Sequence, residues 1–286
     1  MPELPEVETI VRDLAPRLRG RTIRGAQVRW PRTIAAPAPD EFVAKVAGLR
    51  FETFDRRGKY MIFGLARDDQ SHFRGVAPTR WLIIHLRMTG RIDLSPHGHQ
   101  ADPHTHVILE LDDGADMSFR DPRKFGRIWL VADPQQAIGR LGPEPFDPTF
   151  SAQTLAKRLN GRRTAVKALL LDQSIVAGVG NIYADEALFE ARMHPARPGA
   201  SLSPDEVERL HVAVQLVLAR AINGGGSSLG SGSTNYVRPG GEAGGYQEEH
   251  RVFRRTGQPC PICATPIQRL RIAQRSTHFC PSCQPE

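Results

Sequence analysis

The sequence predicts a multidomain α+β protein: an N-terminal helix leading into a β-sandwich, a helical domain, and a cysteine-bearing β-hairpin at the far end. Three observations predict it. Short apolar runs rich in β-formers recur between residues 22 and 131, separated by Gly, Pro or Asp clusters. Beyond the connector Leu141-Gly142-Pro143-Glu144-Pro145 the apolar period becomes that of helices. All four cysteines fall between 260 and 283. With 286 residues, two or three domains can each bury a core, and the boundaries are placed at 1–133, 134–247 and 248–286.

Residues 5–19 read as an amphipathic helix, because Val7, Ile10, Val11, Leu14 and Leu18 recur at helical spacing and Gly20 supplies a stop. Pro16 is expected to kink or end it early. Strands are expected at 60–65, 81–86, 107–111 and 126–131, with a small helix at 40–46 and polar, mobile linkers at 66–80 and 95–105. Helices follow at 151–159, 164–171, 182–191 and 204–222. The last has the strongest start signal, Ser203 as N-cap, Pro204 at N1 and Glu206 at N3. Its face of Val207, Leu210, Val214, Val217 and Leu218 reads as plain core. Residues 223–247 carry nine glycines and little apolar content, a linker or a lid.

The formal charge of +7 tilts the chain toward a polyanionic partner, and the charge is patchy rather than uniform. Residues 251–283 hold six arginines and no acid, and 157–167 hold Lys157, Arg158, Arg162, Arg163 and Lys167 with no acid. No apolar run spans a membrane and no signal segment opens the chain, which predicts a cytoplasmic, nucleoid-associated protein.

Cys260-x2-Cys263-x16-Cys280-x2-Cys283 matches a closed tetrahedral structural zinc site. Disulfides suit a reducing compartment less well, and iron is the less usual occupant of such paired knuckles. Four protein ligands leave no position for water, so a single Zn2+ there holds shape. Between the knuckles, 267–272 and 277–279 read as strands joined by Ala273-Gln274-Arg275-Ser276, with Arg275 at or near the tip and Arg269 and Arg271 behind it. A metal-stapled basic hairpin suits nucleic-acid phosphates, although a solvated basic hairpin has the same composition.

In Val179-Gly180-Asn181-Ile182-Tyr183 glycines precede a helix start, where exposed N–H groups form an anion site. Asn181 reads either as a cap of its own helix or as a phosphate contact. The basic turn Arg120-Asp121-Pro122-Arg123-Lys124-Phe125-Gly126 sets an aromatic among arginines. Arg56-Arg57-Gly58-Lys59-Tyr60 and His85-Leu86-Arg87-Met88-Thr89-Gly90 have a similar cast. An exposed Phe or Met beside Arg can wedge into a base stack, but each is more often core. At the terminus, removal of Met1 leaves Pro2 with a secondary amine. An α-amino group has a pKa of roughly 8, so much of it is neutral and nucleophilic near neutral pH. Glu3 lies beside it as an acid or base. On these residues alone a plain helix start is the favoured reading of the terminus.

Together these segments resemble the bacterial formamidopyrimidine-DNA glycosylase family, the oxidised-purine branch of the helix–two-turn–helix glycosylases. The likeness runs in order along nearly the whole chain: PELPEVET, RRGKY, HLRMTG, DPRKFGRIWL, VAGVGNIYADEALF, and the CxxC pairs around AQRSTHFC. The resemblance implies a helix–two-turn–helix domain, a C-terminal zinc finger, and a monomeric base-excision enzyme acting on damaged double-stranded DNA. It implies that Pro2 attacks C1′ and makes a Schiff base, Glu3 assists ring opening, Lys59 serves base recognition and β-elimination, and Arg275 grips phosphates for δ-elimination. It further implies DNA contacts at His104, Arg162, Arg163 and Asn181, and a base-pocket carboxylate at Glu6. Met88, Arg123 and Phe125 match the trio that fills the hole left by a flipped base. Two departures from the family stand out: the 66–80 linker is longer than usual, and the 223–247 loop is richer in glycine and serine. The second leaves lesion preference open.

Two rival readings compete. An endonuclease VIII-like glycosylase for oxidised pyrimidines is disfavoured by Leu4 after Pro-Glu and by the intact trio. A non-catalytic zinc-ribbon DNA-binding protein explains the charge and the cysteines, but gives Pro2, Glu3 and Lys59 no role.

Overall fold

The computed structural model describes residues 1–67, 77–229 and 236–286. They form two compact units, one of residues 1–2, 6–139 and 227–244, the other of residues 3–5, 140–226 and 245–286.

The first unit contains most of α1 (Leu4–Leu18), then β1 (Ile23–Val28), β2 (Ile34–Ala36), α2 (Pro39–Val46), β3 (Leu49–Arg57), β4 (Tyr60–Arg67), β5 (Arg80–His85), β6 (Arg91–Pro96), β7 (Thr105–Leu111), β8 (Ala115–Arg120), β9 (Arg127–Val131) and the short α3 (Gln135–Ile138). One sheet runs β1-β7-β8-β6 and is antiparallel. The other runs β2-β9-β5-β4-β3, with only β2 and β9 parallel. A single core fills the sandwich: Phe51, Met61, Phe63 and Leu82 from one sheet, Val107, Leu109 and Met117 from the other. Val7, Leu14 and Leu18 of α1 join that core with no exposure at all. At roughly 2 kcal/mol per fully buried aliphatic side chain, they hold the start of the chain firmly.

The four strands that the apolar runs predict are all present as β4, β5, β7 and β9. Charged residues interrupt β3 (LRFETFDRR) and β6 (RIDLSP), which is why neither reads as an apolar run. Pro16 does not end α1 early; the helix runs through it to Leu18. So near the C-terminal end the missing N–H removes one bond of the last turn, and burial of Leu14 and Leu18 outweighs it. The expected 66–80 linker is shortened from both sides by β4 and β5, and 68–76 lie outside the described residues. In the expected 95–105 linker, His97 Nδ1 and Gly98 N are tied to the Asp116 carboxylate, at 2.8 and 3.4 Å.

The second unit contains α4 (Ala152–Leu159), α5 (Val166–Leu171), α6 (Asn181–Glu190), α7 (Pro204–Asn223), β10 (Gln268–Ile272) and β11 (Arg275–Phe279). The capping box of α7 is present as read, Ser203 Oγ accepting from Glu206 N and the Glu206 side chain accepting from Ser203 N. Val207, Leu210, Val214, Val217 and Leu218 are buried. Among the described residues no helix is long and apolar enough to cross a membrane.

Candidate active site

The helix start read as an anion site binds a carboxylate of the protein itself. Glu3 is 2% exposed and reaches the N-terminus of α6, where its oxygens accept from Ile182 N at 3.1 Å and Tyr183 N at 3.5 Å. Unpaired N–H groups and the helix dipole both favour an anion there. Gly180 makes room: a Cβ built on it would lie 2.3–2.7 Å from the Glu3 carboxyl atoms. Leu4 N donates to Gly178 O at 3.1 Å, and Gly178 has φ +89°. Gln173 shapes this turn, accepting from Gly178 N at 2.9 Å and donating to Val179 O at 2.8 Å. Nothing in the sequence marks Gln173 for that role. Pro2, next in the chain, is buried behind a Met1 that is 47% exposed.

Asn181 does not cap its helix, since Gly180 is the N-cap. Its Nδ2 donates to Ser276 O in the cysteine hairpin at 3.1 Å. The fully buried Lys167 donates to the same carbonyl at 2.8 Å and to Thr277 Oγ1 at 2.9 Å, and its ammonium pairs with Asp185 at 2.6 Å. Burial pushes the Lys167 pKa down while Asp185 opposes that shift. The hairpin is tighter than the expected four-residue joint. Its turn is Ala273 and Gln274 alone, both left-handed (φ 47° and 59°), and Arg275 opens β11 opposite Ile272. Two left-handed residues match the twist of the flanking strands. No Asn-Gly signal marks the turn in the sequence. Arg275 is exposed one residue before the doubly held Ser276.

In the first unit, Lys59 follows Gly58 (φ +56°) in a two-residue turn between β3 and β4 and is buried. Arg56 supports this turn, donating to Gly58 O at 3.0 Å and to Glu8 at 2.9 Å. Burial raises the Glu8 carboxyl, but Arg56 and Arg12 more than offset it and hold it below the usual range. Glu6 is buried and accepts from Ser227 N at 2.8 Å. The rest of the expected 223–247 loop is seen at its stems, where Arg238 grips Asp13 at 2.7 and 2.8 Å; 230–235 lie outside the described residues.

His85 stands edge-on to Tyr60 and accepts from Arg87 N through Nδ1 at 3.0 Å. Burial, then the charges of Arg87 and Lys59, push its pKa from 6.5 to about 3. Between those values the unfolded chain binds a proton that the folded chain does not, so stability falls as pH drops from 6.5 toward about 3. His85→Asn, which keeps an acceptor and removes the titration, is expected to flatten that acid slope in thermal unfolding. Equal slopes would show that His85 contributes none of it.

The four cysteine Sγ atoms lie within 4.8 Å of one another, with 3.8 Å between Cys260 and Cys283 and 3.5 Å from Cys263 to both Cys280 and Cys283. Metal–sulfur bonds of about 2.3 Å in a tetrahedron place sulfurs about 3.8 Å apart, so the cluster fits a tetrahedral metal ion.

The comparisons with known proteins follow the same order along the chain. Residues 1–128 match the formamidopyrimidine-DNA glycosylase N-terminal domain, 141–232 the H2TH domain of the same enzyme, and 257–285 a zinc finger found in FPG and IleRS. The formamidopyrimidine-DNA glycosylase of Symbiobacterium thermophilum is 46% identical over all of this chain and 90% of its own length. That of Chloroflexus aggregans is 47% identical over 99% of this chain and 98% of its own. The chain belongs to the formamidopyrimidine-DNA glycosylase family. Among solved structures, MutM (FPG) of Thermus thermophilus superposes with a TM-score of 0.86 at 42% identity, covering 100% of this chain and 99% of that one. Lactococcus lactis FPG in complex with a FAPY-dG containing DNA gives 0.87 at 33% identity, covering 99% and 100%.

The remaining residues singled out in this family member lie in the connections between elements. Met88 is half-buried after β5; Arg123 and Phe125 project from the turn before β9, with the Arg123 guanidinium 5.0 Å from the Phe125 ring centre. Phe125 is 49% exposed, so it is no core side chain. His104 is exposed, its backbone N and Nδ1 bound to Asp102 at 2.7 and 3.0 Å. Asp102 also pairs with Arg120 at 2.9 Å. Burial opposes ionisation of Asp102, yet the His104 and Arg120 bonds prevail and hold its pKa at about 2. Arg162 and Arg163 are exposed between α4 and α5 in the second unit.

Proposed function

We propose that this chain is a base-excision DNA glycosylase with AP lyase activity that removes oxidised purines, 8-oxoguanine and formamidopyrimidines, from duplex DNA. The observation that carries the proposal is the placement of Glu3: a buried carboxylate held by two backbone N–H groups fixes the residue bonded to the Pro2 nucleophile. With Met1 removed, the Pro2 nitrogen attacks C1′, and the glycosidic bond breaks with its electron pair leaving on the base. The attached nitrogen then gives its N–H proton to the Glu3 carboxylate, and the lone pair this frees opens the sugar as Glu3 passes that proton to O4′, giving the iminium. Loss of a C2′ proton expels the 3′ phosphate, and a second elimination expels the 5′ phosphate. Lys59 serves base departure and the first elimination, Arg275 the second.

Lesion DNA is gripped by His104, Arg162, Arg163 and Asn181, and Glu6 faces the extruded base. Met88, Arg123 and Phe125 occupy the vacated stack, offsetting part of an unstacking cost of a few kcal/mol. The four thiolates of Cys260, Cys263, Cys280 and Cys283 hold one Zn2+, which supplies cross-linking and no open coordination position. The reading includes domains at 1–133, 134–247 and 248–286, a monomeric state, and a cytoplasmic, nucleoid-associated location.

Borohydride tests the reading directly. It is expected to reduce the iminium and leave a covalent complex between Met1-processed protein and an 8-oxoguanine duplex, and absence of that complex would overturn the proposal. Arg275→Ala is expected to weaken binding, lower the dependence of log K on log salt by about one, and slow strand cleavage. Unchanged cleavage would remove Arg275 from the mechanism.

A further inference from the structure

We infer that Asp121 and Thr89 lock the turn carrying Met88 to the turn carrying Arg123 and Phe125, so that the three side chains enter DNA as one pre-set wedge. This rests on the reading that those side chains fill the space of a flipped base. Asp121 has no exposed surface, and Thr89 is nearly as buried. Asp121 Oδ1 accepts from Thr89 Oγ1, across 32 residues of sequence, and from Arg123 N at 3.2 Å. Its other oxygen accepts from Gly126 N at 2.7 Å. Thr89 Oγ1 in turn accepts from Arg123 N at 3.4 Å. One carboxylate therefore holds the residue after Met88 and both ends of the segment that presents Arg123 and Phe125.

Each turn is also shaped within itself. In the first, Arg87 is left-handed (φ 55°), its N–H donates to His85, and Gly90 N donates to Leu86 O at 3.0 Å. A Cβ on Gly90 would fall 2.5 Å from that carbonyl. In the second, Lys124 is left-handed (φ 61°), its N–H donates to Asp121 O at 3.0 Å, and its ammonium lies 4.0 Å from the Trp30 ring centre. His106 Nε2 meets the same Asp121 carbonyl at 2.8 Å. The Thr89 hydroxyl, donating to Asp121 and accepting from Arg123 N, joins the two turns. Hydrogen bonds to a buried carboxylate are stronger than neutral ones, and a group held beforehand loses less freedom when it docks.

The test uses full-length zinc-loaded protein. Thr89→Val keeps the shape and deletes the hydroxyl; Thr89→Ser keeps the hydroxyl. Thr89→Val is expected to slow single-turnover excision of 8-oxoguanine from duplex by about tenfold. It should leave cleavage of a single-stranded abasic oligonucleotide, which has no stack to fill, within about twofold of wild type. Thr89→Ser is expected to restore duplex excision. Wild-type duplex rates for Thr89→Val, with Met88→Ala and Phe125→Ala both slow, overturn the inference. Equal losses on both substrates overturn it too, because they signal general damage to the fold. Wild-type duplex rates for Met88→Ala and Phe125→Ala bring down the hole-filling reading and the inference with it.

Discussion

Protein that keeps Met1, or any extension on the Pro2 nitrogen, is expected to bind 8-oxoguanine duplex within a few-fold of processed protein and to yield no borohydride adduct. In a peptide bond the Pro2 lone pair is delocalised into the carbonyl and cannot attack C1′. The loss is of a nucleophile and not of a contact, so strand cleavage should fall by at least about three orders of magnitude. Binding should survive because the groups proposed to grip DNA lie on other elements: His104 before β7, Arg162 and Arg163 between α4 and α5, and Arg275 on β11. Fluorescence anisotropy and adduct gels on the same preparations separate the two quantities. An adduct formed by Met1-bearing protein would assign the nucleophile to another amine, with the buried Lys59 first in line, and peptide mapping of the adduct would name it.

Gly180→Ala is expected to fold and to lose activity by roughly a hundredfold. The added Cβ would fall 2.3–2.7 Å from the Glu3 carboxyl atoms, so one of the two must move. The carboxylate is the far end of a flexible side chain, whereas Gly180 is the N-cap of a helix whose residues 182–189 are all buried. Glu3 therefore moves. Its bonds to Ile182 N and Tyr183 N weaken, and the residue bonded to Pro2 leaves its set position. Gly178→Ala makes the contrast: its Cβ would meet Leu4 at 2.6 Å from a backbone at φ +89°, a strain that appears as lost stability. A Gly180→Ala protein with wild-type excision would show that the carboxylate need not sit on the helix terminus. Unfolding rates and single-turnover excision rates together distinguish these outcomes.

Much of this protein is legible from local chemistry. The β-rich first half, the cap of α7 at Ser203 and Glu206, and the paired cysteines each depend on residues a few positions apart. Periodicity, capping and ligand spacing report such short-range facts well. The amphipathic face of α1 likewise announces that the chain's first residues are anchored. Strands such as β3 and β6 are harder to see, because charged residues interrupt the apolar run.

What depends on the folded chain is which groups meet. The glycine-preceded start of α6 reads as a site for an anion, but that the anion is Glu3 requires a contact across 179 residues. Asn181 reads as a cap or a phosphate contact, and folding gives its amide to Ser276, 95 residues away. Asp121 and Thr89 are unremarked members of two basic turns until the sandwich brings β5 and β9 side by side. In each case the residue types are visible in the chain. Their partners are chosen by burial, which leaves a polar group removed from water only the nearest complementary atom with which to bond.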